Sequence, residues 1–152
     1  MLDKSQSVET FLVDEDTHRG RHTGGADTQE PALDKVLCGE NSWGSLDMQH
    51  AIDAEASDYM MPDVMKIGGV TGWLCAAAFA QTKGIRLSSH LWPEISAQLL
   101  CVTPTAHWLK YADWWNPVIR EPLQIKNGMA DVSEVSGTGV DWNEDAVVRF
   151  SV

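Results

Sequence analysis

The sequence predicts an α/β fold that forms part of a TIM-type (β/α) barrel. Short apolar runs alternate with helix-like segments, and three such units fit between Val36 and Cys101. Strands that alternate with helices in this way form right-handed βαβ units with parallel pairing. A complete eight-unit barrel needs about 250 residues. The chain has 152 residues, so the pattern predicts only part of a barrel.

The first unit begins with the apolar run from Val36 to Cys38, which is too short for a helix and is closed by Gly39. This run predicts a strand. A helix is predicted to follow, with Ser45 as its N-cap and Asp47 in its first turn, and to extend to about Ala56.

The second unit contains the clearest helix of the chain. Tyr59 to Met61 predict a strand that Pro62 stops. The Ala-rich stretch from Thr71 to Lys83 then predicts a helix with a basic last turn, and Gly84 follows as its C-cap.

The third unit ends the regular alternation. Ile85 to Ser89 predict a strand, and Pro93 marks the start of the next helix. Beyond Pro104 the sequence is rich in Trp and turn residues, with short β-like pieces such as Leu123 to Ile125. We expect this part to wrap around the barrel units as a C-terminal extension.

Residues 1–34 differ in texture from residues 35–152. The first segment is polar, acidic and rich in Gly, Thr and Asp, and it is predicted to be poorly structured or divergent. His18 and His22 have the spacing of a helical metal pair, but Gly20 and the glycines that follow favour a flexible loop. Residues 35–152 are therefore predicted to contain the partial barrel.

Composition excludes several classes of function. The hydrophobic content of 43% is enough for a core, and the net charge of -11 argues against nucleic acid or an anionic membrane as partner. No basic and apolar leader or run of about 20 apolar residues is visible, so a cytoplasmic protein is expected. Cys38, Cys75 and Cys101 predict reduced packing thiols, because they are odd in number and widely spaced.

Glu40, Asp63 and His90 each follow a predicted strand. Parallel strands would bring all three to the same C-terminal rim, where the active sites of β/α barrels lie. An Asp bound to a His fixes its tautomer and raises its basicity, and a nearby Glu can bind a hard divalent cation. This set suits general-base removal of a proton next to a carboxylate. The alternative is that each carboxylate only caps a helix.

The glycine-rich stretch from Gly68 to Gly72 allows two interpretations. It could cradle a phosphate at a helix N-terminus, but no dinucleotide-binding or P-loop signature surrounds it, so a tight turn is favoured. Lys66 lies beside this turn and either points into the site or pairs with surface acids.

Several strings of residues resemble the mandelate racemase family of the enolase superfamily. They are Cys38–Asn41, Met61–Trp73, Ser88–Leu91, Glu94–Ala97 and Thr103–Leu109. They occur in order and at matching separations, and the resemblance extends from about Lys35 to Val152. It implies the last three βα units of that family's barrel, followed by the C-terminal extension.

The resemblance also implies roles for individual residues. His90 and Asp63 correspond to the family's base dyad, and Glu40 corresponds to a carboxylate that binds magnesium. The substrate would be a 2-hydroxy acid or a sugar acid, and the enzyme a racemase or a dehydratase. Lys110 stands where the family has a glutamate that donates a proton to the substrate carboxylate. Lys110 either neutralises that carboxylate or lies on the surface.

Other parts of the family's site are not found in the sequence. The lysine base for the opposite face of the substrate and two further metal carboxylates are missing, and Asp14-Glu15 lacks the expected surroundings. As an isolated polypeptide, the chain is therefore expected to be a truncated, inactive remnant and not a catalyst. A third interpretation is an interaction module that completes its sheet with another chain. Unpaired sheet edges predict self-association in either case.

Overall fold

The computed structural model describes residues 36–132 and 136–151, together with the backbone of two earlier strands, residues 7–12 and 21–22. The strands are β1 (Ser7–Leu12), β2 (Arg21–His22), β3 (Leu37–Cys38), β4 (Tyr59–Met60), β5 (Arg86–Leu87), β6 (Leu109–Tyr111), β7 (Gln124–Lys126) and β8 (Met129–Asp131). The helices are α1 (Gly44–Asp53), α2 (Gly69–Lys83), α3 (Pro93–Cys101) and α4 (Glu144–Phe150), with a 3₁₀ turn at Asn116–Val118.

Three strand and helix pairs follow one another in the order that the sequence predicts. Strands β3, β4 and β5 are parallel, and Cys38, Met60 and Leu87 lie side by side across them. Leu87 also forms a parallel bridge to Ala106, which adds the stretch leading into β6 beside β5. The α/β class and the parallel sheet are therefore confirmed.

A second sheet is built around β1. This strand pairs in parallel with β6 and in antiparallel fashion with β2 and β8, and β7 and β8 form a hairpin. The sequence interpretation, which weighed the polar composition of residues 1–34 as a whole, did not predict strands there. Ser7–Leu12 contains several residues that favour strands, and its backbone is paired on both sides. The rest of residues 1–34 lies outside the described residues.

The core lies between the parallel strands and helices α1 to α3. Trp73 is fully buried on α2, and its indole Nε1 donates a hydrogen bond of 3.0 Å to Thr103 Oγ1. Thr103 in turn donates to the Leu99 carbonyl at the end of α3. Because each polar group has a partner, the indole can be buried without an unpaired N–H. None of the helices in the described ranges is long and apolar enough to cross a membrane.

Two helix boundaries match the sequence interpretation, whereas α2 begins at Gly69 and not at Thr71, and α1 ends at Asp53 and not near Ala56. Helix α2 ends at Lys83 with Gly84 in the left-handed conformation, and α3 begins at Pro93. The predicted cap of α1 is wrong, since Trp43, and not Ser45, is the N-cap residue. Trp43 has no side chain that could cap the helix. The Asp47 carboxylate in the first turn instead accepts a hydrogen bond of 3.1 Å from the Trp43 N–H.

Candidate active site

The three residues singled out by the sequence follow the ends of adjacent parallel strands. Glu40 lies two residues after β3, Asp63 three residues after β4, and His90 three residues after β5. Asp63 and His90 form a parallel bridge, and the His90 N–H donates to the Pro62 carbonyl at 3.1 Å. Pairing therefore continues past β4 and β5 and fixes these two residues side by side.

Asp63 and His90 are hydrogen bonded through their side chains. His90 Nδ1 lies 3.0 Å from Asp63 Oδ2, and the Asp63 Oδ1 atom accepts a hydrogen bond of 2.8 Å from the Met65 N–H. Asp63 is 4% exposed. An ionised carboxylate only accepts hydrogen bonds, so the proton of a neutral imidazole lies on Nδ1. The Nε2 lone pair is then available as a base.

The turn after β4 holds Asp63 through its backbone. The Asp63 carbonyl accepts hydrogen bonds from the N–H groups of Lys66 and Ile67, and the chain then enters α2 through Gly68 and Gly69, both at positive φ. These angles agree with the tight-turn interpretation. A Cβ on Gly72 would lie 1.9 Å from the Ile67 carbonyl oxygen. Only glycine lets the first turns of α2 pack this closely against the loop that carries Asp63.

Lys66 ties the loop after β4 to the loop after β3. Its Nζ donates a hydrogen bond of 2.9 Å to Asn41 Oδ1, and its carbonyl accepts from the Gly44 N–H at 3.0 Å. Asn41 is the neighbour of Glu40, so this contact fixes the backbone beside that carboxylate. The sequence left open whether Lys66 points into the site or pairs with surface acids, and in the structure its Nζ binds the Asn41 amide. The role of Asn41 was missed.

Two buried serines before His90 join β5 to the strand beside it. Ser89 Oγ accepts a hydrogen bond of 3.1 Å from the Lys110 N–H, and Ser88 Oγ lies 3.3 Å from His107 Nδ1. Sequence reasoning gave these serines no role. The signal was two small hydroxyl residues directly before a histidine at the end of an apolar strand. Through Ser89, the partly buried Lys110 is positioned on the strand next to the one that carries His90.

The metal-binding capacity of the described residues is limited. Within residues 36–132 and 136–151, no group of three or more His, Cys, Asp or Glu side chains is arranged to hold an ion. Mg²⁺ requires a near-octahedral set of oxygen ligands, usually with carboxylates and substrate oxygens among them. Asp63 is bound to His90, and Glu40 offers one carboxylate. The described residues by themselves therefore do not fit a complete magnesium site.

Comparison with protein families shows which family the chain belongs to. Residues 24–146 match the family described as enolase C-terminal domain-like. The chain belongs to this family. The C-terminal domain of these proteins is a TIM-type barrel, so the enolase superfamily and the barrel architecture that the sequence indicated are both confirmed.

Several relatives show what members of this family bind or carry out. An enolase from Bradyrhizobium, solved with magnesium and mandelic acid, is 44% identical with a TM-score of 0.75, and the match covers 78% of this chain and 32% of that one. The L-talarate/galactarate dehydratase of Salmonella typhimurium is 29% identical over 116 residues, which are 76% of this chain and 29% of the dehydratase. The D-galactarolactone cycloisomerase of Agrobacterium fabrum is 30% identical over 76% of this chain and 35% of its own length.

The chain spans about a third of the length of these curated relatives. Magnesium is present in several of the similar solved structures, including the Bradyrhizobium enolase and an L-talarate dehydratase from Polaromonas that also holds L-glucarate. The magnesium expected from the sequence is thus a property of close structural relatives. The matched region includes Glu40, Asp63 and His90.

Proposed function

We propose that residues 35–152 form the last three βα units of a barrel of the mandelate racemase type and carry its proton-abstracting dyad. The reaction would be the removal of the α-proton of a 2-hydroxy acid or a sugar acid, in a dehydratase or a racemase. The hydrogen bond of 3.0 Å between His90 Nδ1 and Asp63 Oδ2, at the C-terminal ends of parallel strands, carries this proposal.

In this function His90 is the catalytic base and Asp63 is a positioning residue. Asp63 holds the proton on Nδ1, so Nε2 accepts the α-proton and the imidazole becomes an imidazolium. The buried carboxylate then stabilises that positive charge. Met65 keeps the carboxylate in place through its N–H. The dyad needs no rearrangement during the transfer.

Dehydration fits the described residues better than racemisation. Racemisation requires a base on each face of the substrate, and the part of the chain that the structure describes supplies one dyad. In a dehydration, the protonated His90 can return its proton to a departing β-hydroxyl group. The relatives named as dehydratases for talarate, galactarate and xylonate agree with a sugar acid as the substrate.

Glu40 and Lys110 complete the proposed set. Glu40 would supply one magnesium ligand, and the bound ion would neutralise negative charge on the substrate carboxylate. Lys110 would bind a substrate carboxylate oxygen as a point charge. Since the described residues supply one such ligand and one base, we expect the isolated chain to be inactive, and the further ligands to come from elsewhere in a complete barrel.

A second candidate function is supported by the edge of the parallel sheet. Among the described strands, β3 is paired on one side only, by β4. An unpaired strand edge can accept a strand from another chain. In this alternative the chain is a non-catalytic remnant or interaction module that completes its sheet with a partner or with a second copy.

A graft tests the catalytic proposal. Residues 35–152 would replace the third of the Bradyrhizobium enolase that they match, and α-proton exchange of mandelate and galactarate would be followed in heavy water with magnesium. We expect the graft to exchange the α-proton. His90→Asn should lower the exchange rate by about 10²-fold or more, since general-base catalysis contributes this much. The matched control is His50→Asn, because His50 is exposed on α1.

Two results would contradict the proposal. One is a graft that melts cooperatively but does not exchange the proton, and the other is exchange that survives His90→Asn. The ungrafted chain should show no exchange above its own His90→Asn variant. If it matched the graft, the expectation that the chain alone is inactive would be wrong.

A further inference from the structure

The stretch that leads into β6 contains one residue more than the strand beside it. Leu87 on β5 pairs regularly, since its N–H donates to the Thr105 carbonyl at 2.8 Å and its carbonyl accepts from the His107 N–H at 2.9 Å. In an unbroken parallel ladder the Ser89 N–H would next donate to the His107 carbonyl. It donates instead to the Trp108 carbonyl at 2.9 Å. One extra residue on one of two paired strands is a β-bulge.

The side chains at this position agree with a bulge. Consecutive residues of a regular strand point to opposite faces of the sheet. His107 and Trp108 are consecutive, yet their rings are stacked, with centroids 4.0 Å apart and an interplanar angle of 21°. Both side chains therefore lie on the same side of the strand, and the alternation after them is shifted by one residue.

The bulge decides which face of the sheet Lys110 occupies. Leu109 is fully buried in the same core as Leu87. By alternation Lys110 lies on the opposite face, and so does His90, which is three residues after Leu87. Without the extra residue Leu109 and Lys110 would exchange faces, because a slip by one residue moves every side chain to the other face. The lysine would then enter the apolar core.

Two serine hydroxyls stabilise the bulge. A bulge interrupts the ladder and leaves backbone N–H groups that need other acceptors. Ser89 Oγ accepts a hydrogen bond of 3.1 Å from the Lys110 N–H, and Ser88 Oγ accepts one of 3.3 Å from the Trp108 N–H. Ser88 is 2% exposed and Ser89 is 0% exposed, so bulk water does not reach these acceptors.

We infer that Ser89 is a positioning residue for Lys110. Its hydroxyl fixes the backbone of the bulged strand at Lys110 itself, and the bulge places this lysine on the face that carries His90. This role rests on the proposed function in one respect, namely that Lys110 binds the substrate carboxylate. Ser89 is buried and acts through Lys110, so its effect falls on substrate binding and not on proton transfer.

Amide hydrogen exchange in the full chain tests the bulge without any activity. We expect Ser89→Ala to accelerate exchange of the Lys110 N–H about tenfold or more, because this N–H loses its acceptor. Ser57→Ala is the matched control, since Ser57 is a half-buried serine that precedes β4, at the other end of the sheet. It should leave the exchange at Lys110 unchanged.

Unchanged exchange at Lys110 in a folded Ser89→Ala variant would overturn the inference. If Ser89→Ala does not fold, Ser89→Cys takes its place, because a thiol is a weaker acceptor than a hydroxyl in a side chain of the same shape. It should accelerate the exchange at Lys110, and a rate equal to that of the wild type would also overturn the inference.

Kinetics of the barrel graft test the link between Ser89 and Lys110. Lys110→Met should raise KM for mandelate about tenfold or more, because a hydrogen bond to a charged group is lost. Ser89→Ala should also raise KM but keep kcat within about twofold, since the dyad is unchanged. The double variant should have the KM of Lys110→Met alone, because Ser89 acts through the lysine.

Failure of the proposed function and failure of this inference are distinguishable. A graft that does not exchange the α-proton would contradict the proposed function, whereas the amide exchange at Lys110 would still show whether Ser89 stabilises the bulge. In an active graft, an unchanged KM for Ser89→Ala would overturn the inference. So would an effect of Ser89→Ala on KM that adds in full to that of Lys110→Met.

Discussion

At the scale of single residues, Asp63 determines which nitrogen of His90 carries the proton. Replacing Asp63 by Asn leaves an oxygen that can still accept from the Met65 N–H, which turns the amide NH₂ group toward His90 Nδ1. That group is a donor, so Nδ1 must become the acceptor and the proton must move to Nε2. We expect ¹⁵N correlation spectra of the imidazole to show the Nδ1–H tautomer in the wild type and the Nε2–H tautomer in Asp63→Asn.

The same variant should lose about 1 to 3 kcal/mol of unfolding free energy, because a buried, charge-assisted hydrogen bond is removed. Asp113→Asn is the control, since Asp113 is exposed. It should change neither the tautomer nor the denaturation midpoint. An Nε2–H tautomer already present in the wild type would contradict the proposed role of Asp63.

The cysteines offer a second test at this scale. Burial raises the pKa of the Cys101 thiol, against a smaller opposing effect of a backbone hydrogen bond. A raised pKa lowers the thiolate fraction at neutral pH, and the thiolate is the reactive form. Cys75 is exposed on α2, contrary to the packing role predicted for it, while Cys38 and Cys101 are half-buried.

We therefore expect iodoacetamide to modify Cys75 before Cys101 at pH 7, as read by peptide mass spectrometry. Labelling of Cys101 should accelerate as the pH is raised toward its pKa. The Cys75→Ser variant should lose the fast phase of labelling and keep the slow labelling of Cys101. Equal rates at Cys75 and Cys101 would show that burial of Cys101 is too small to matter.

The positions of Asp63 and His90 could be predicted from sequence because parallel strands bring their C-terminal ends together whatever the details of packing. The contacts of Asn41, Ser88 and Ser89 could not. Each of these side chains binds a group on a different strand or loop, so its partner depends on the register and on the loop path. Neither is encoded in the local pattern of apolar residues.

At the scale of secondary structure, the junction between the Asp63 loop and α2 depends on Gly72. An Ala there would place its Cβ 1.9 Å from the Ile67 carbonyl oxygen. Backbone must move to relieve such a contact, so we expect Gly72→Ala to cost about 1 to 3 kcal/mol in urea unfolding, in spite of the better helix propensity of Ala.

The displacement should also reach the dyad, because Ile67 is hydrogen bonded to the Asp63 carbonyl. A change in the His90 imidazole signals of folded Gly72→Ala would report it. Thr71→Ala is the matched control, since Thr71 is exposed on the same turn of α2. If Gly72→Ala were as stable as Thr71→Ala, α2 could not pack as closely against the Ile67 backbone as described.

The elements that sequence predicted best are those with a local chemical signal. Gly84 ends α2 because glycine adopts the left-handed conformation without a Cβ penalty, and Pro93 starts α3 because its fixed φ suits a first helical turn. Strand β1 had only the strand propensity of a few residues within a polar segment. It forms through pairing with β6 and β8, which follow it by about 100 residues in the chain, and tertiary context of this kind overrides composition.

At the scale of the whole molecule, the edge of β3 that no described strand pairs with leads to a prediction about association. Val36 directly precedes this strand and is 53% exposed. A lysine on a sheet edge opposes pairing with another chain, because its charge would have to be buried against the incoming strand. We expect the wild-type chain to show a concentration-dependent mass in sedimentation equilibrium, and Val36→Lys to reduce that association about tenfold or more.

Val148→Lys separates an effect of the edge from an effect of charge. Val148 is 71% exposed on α4, and its replacement changes the net charge of -11 by the same amount. Both lysines make the chain less negative and so weaken the general repulsion between copies. Less association in Val36→Lys but not in Val148→Lys can therefore come only from the site of the substitution. A wild-type chain that stays monomeric at all concentrations, or equal effects of the two lysines, would exclude β3 as the edge at which copies meet.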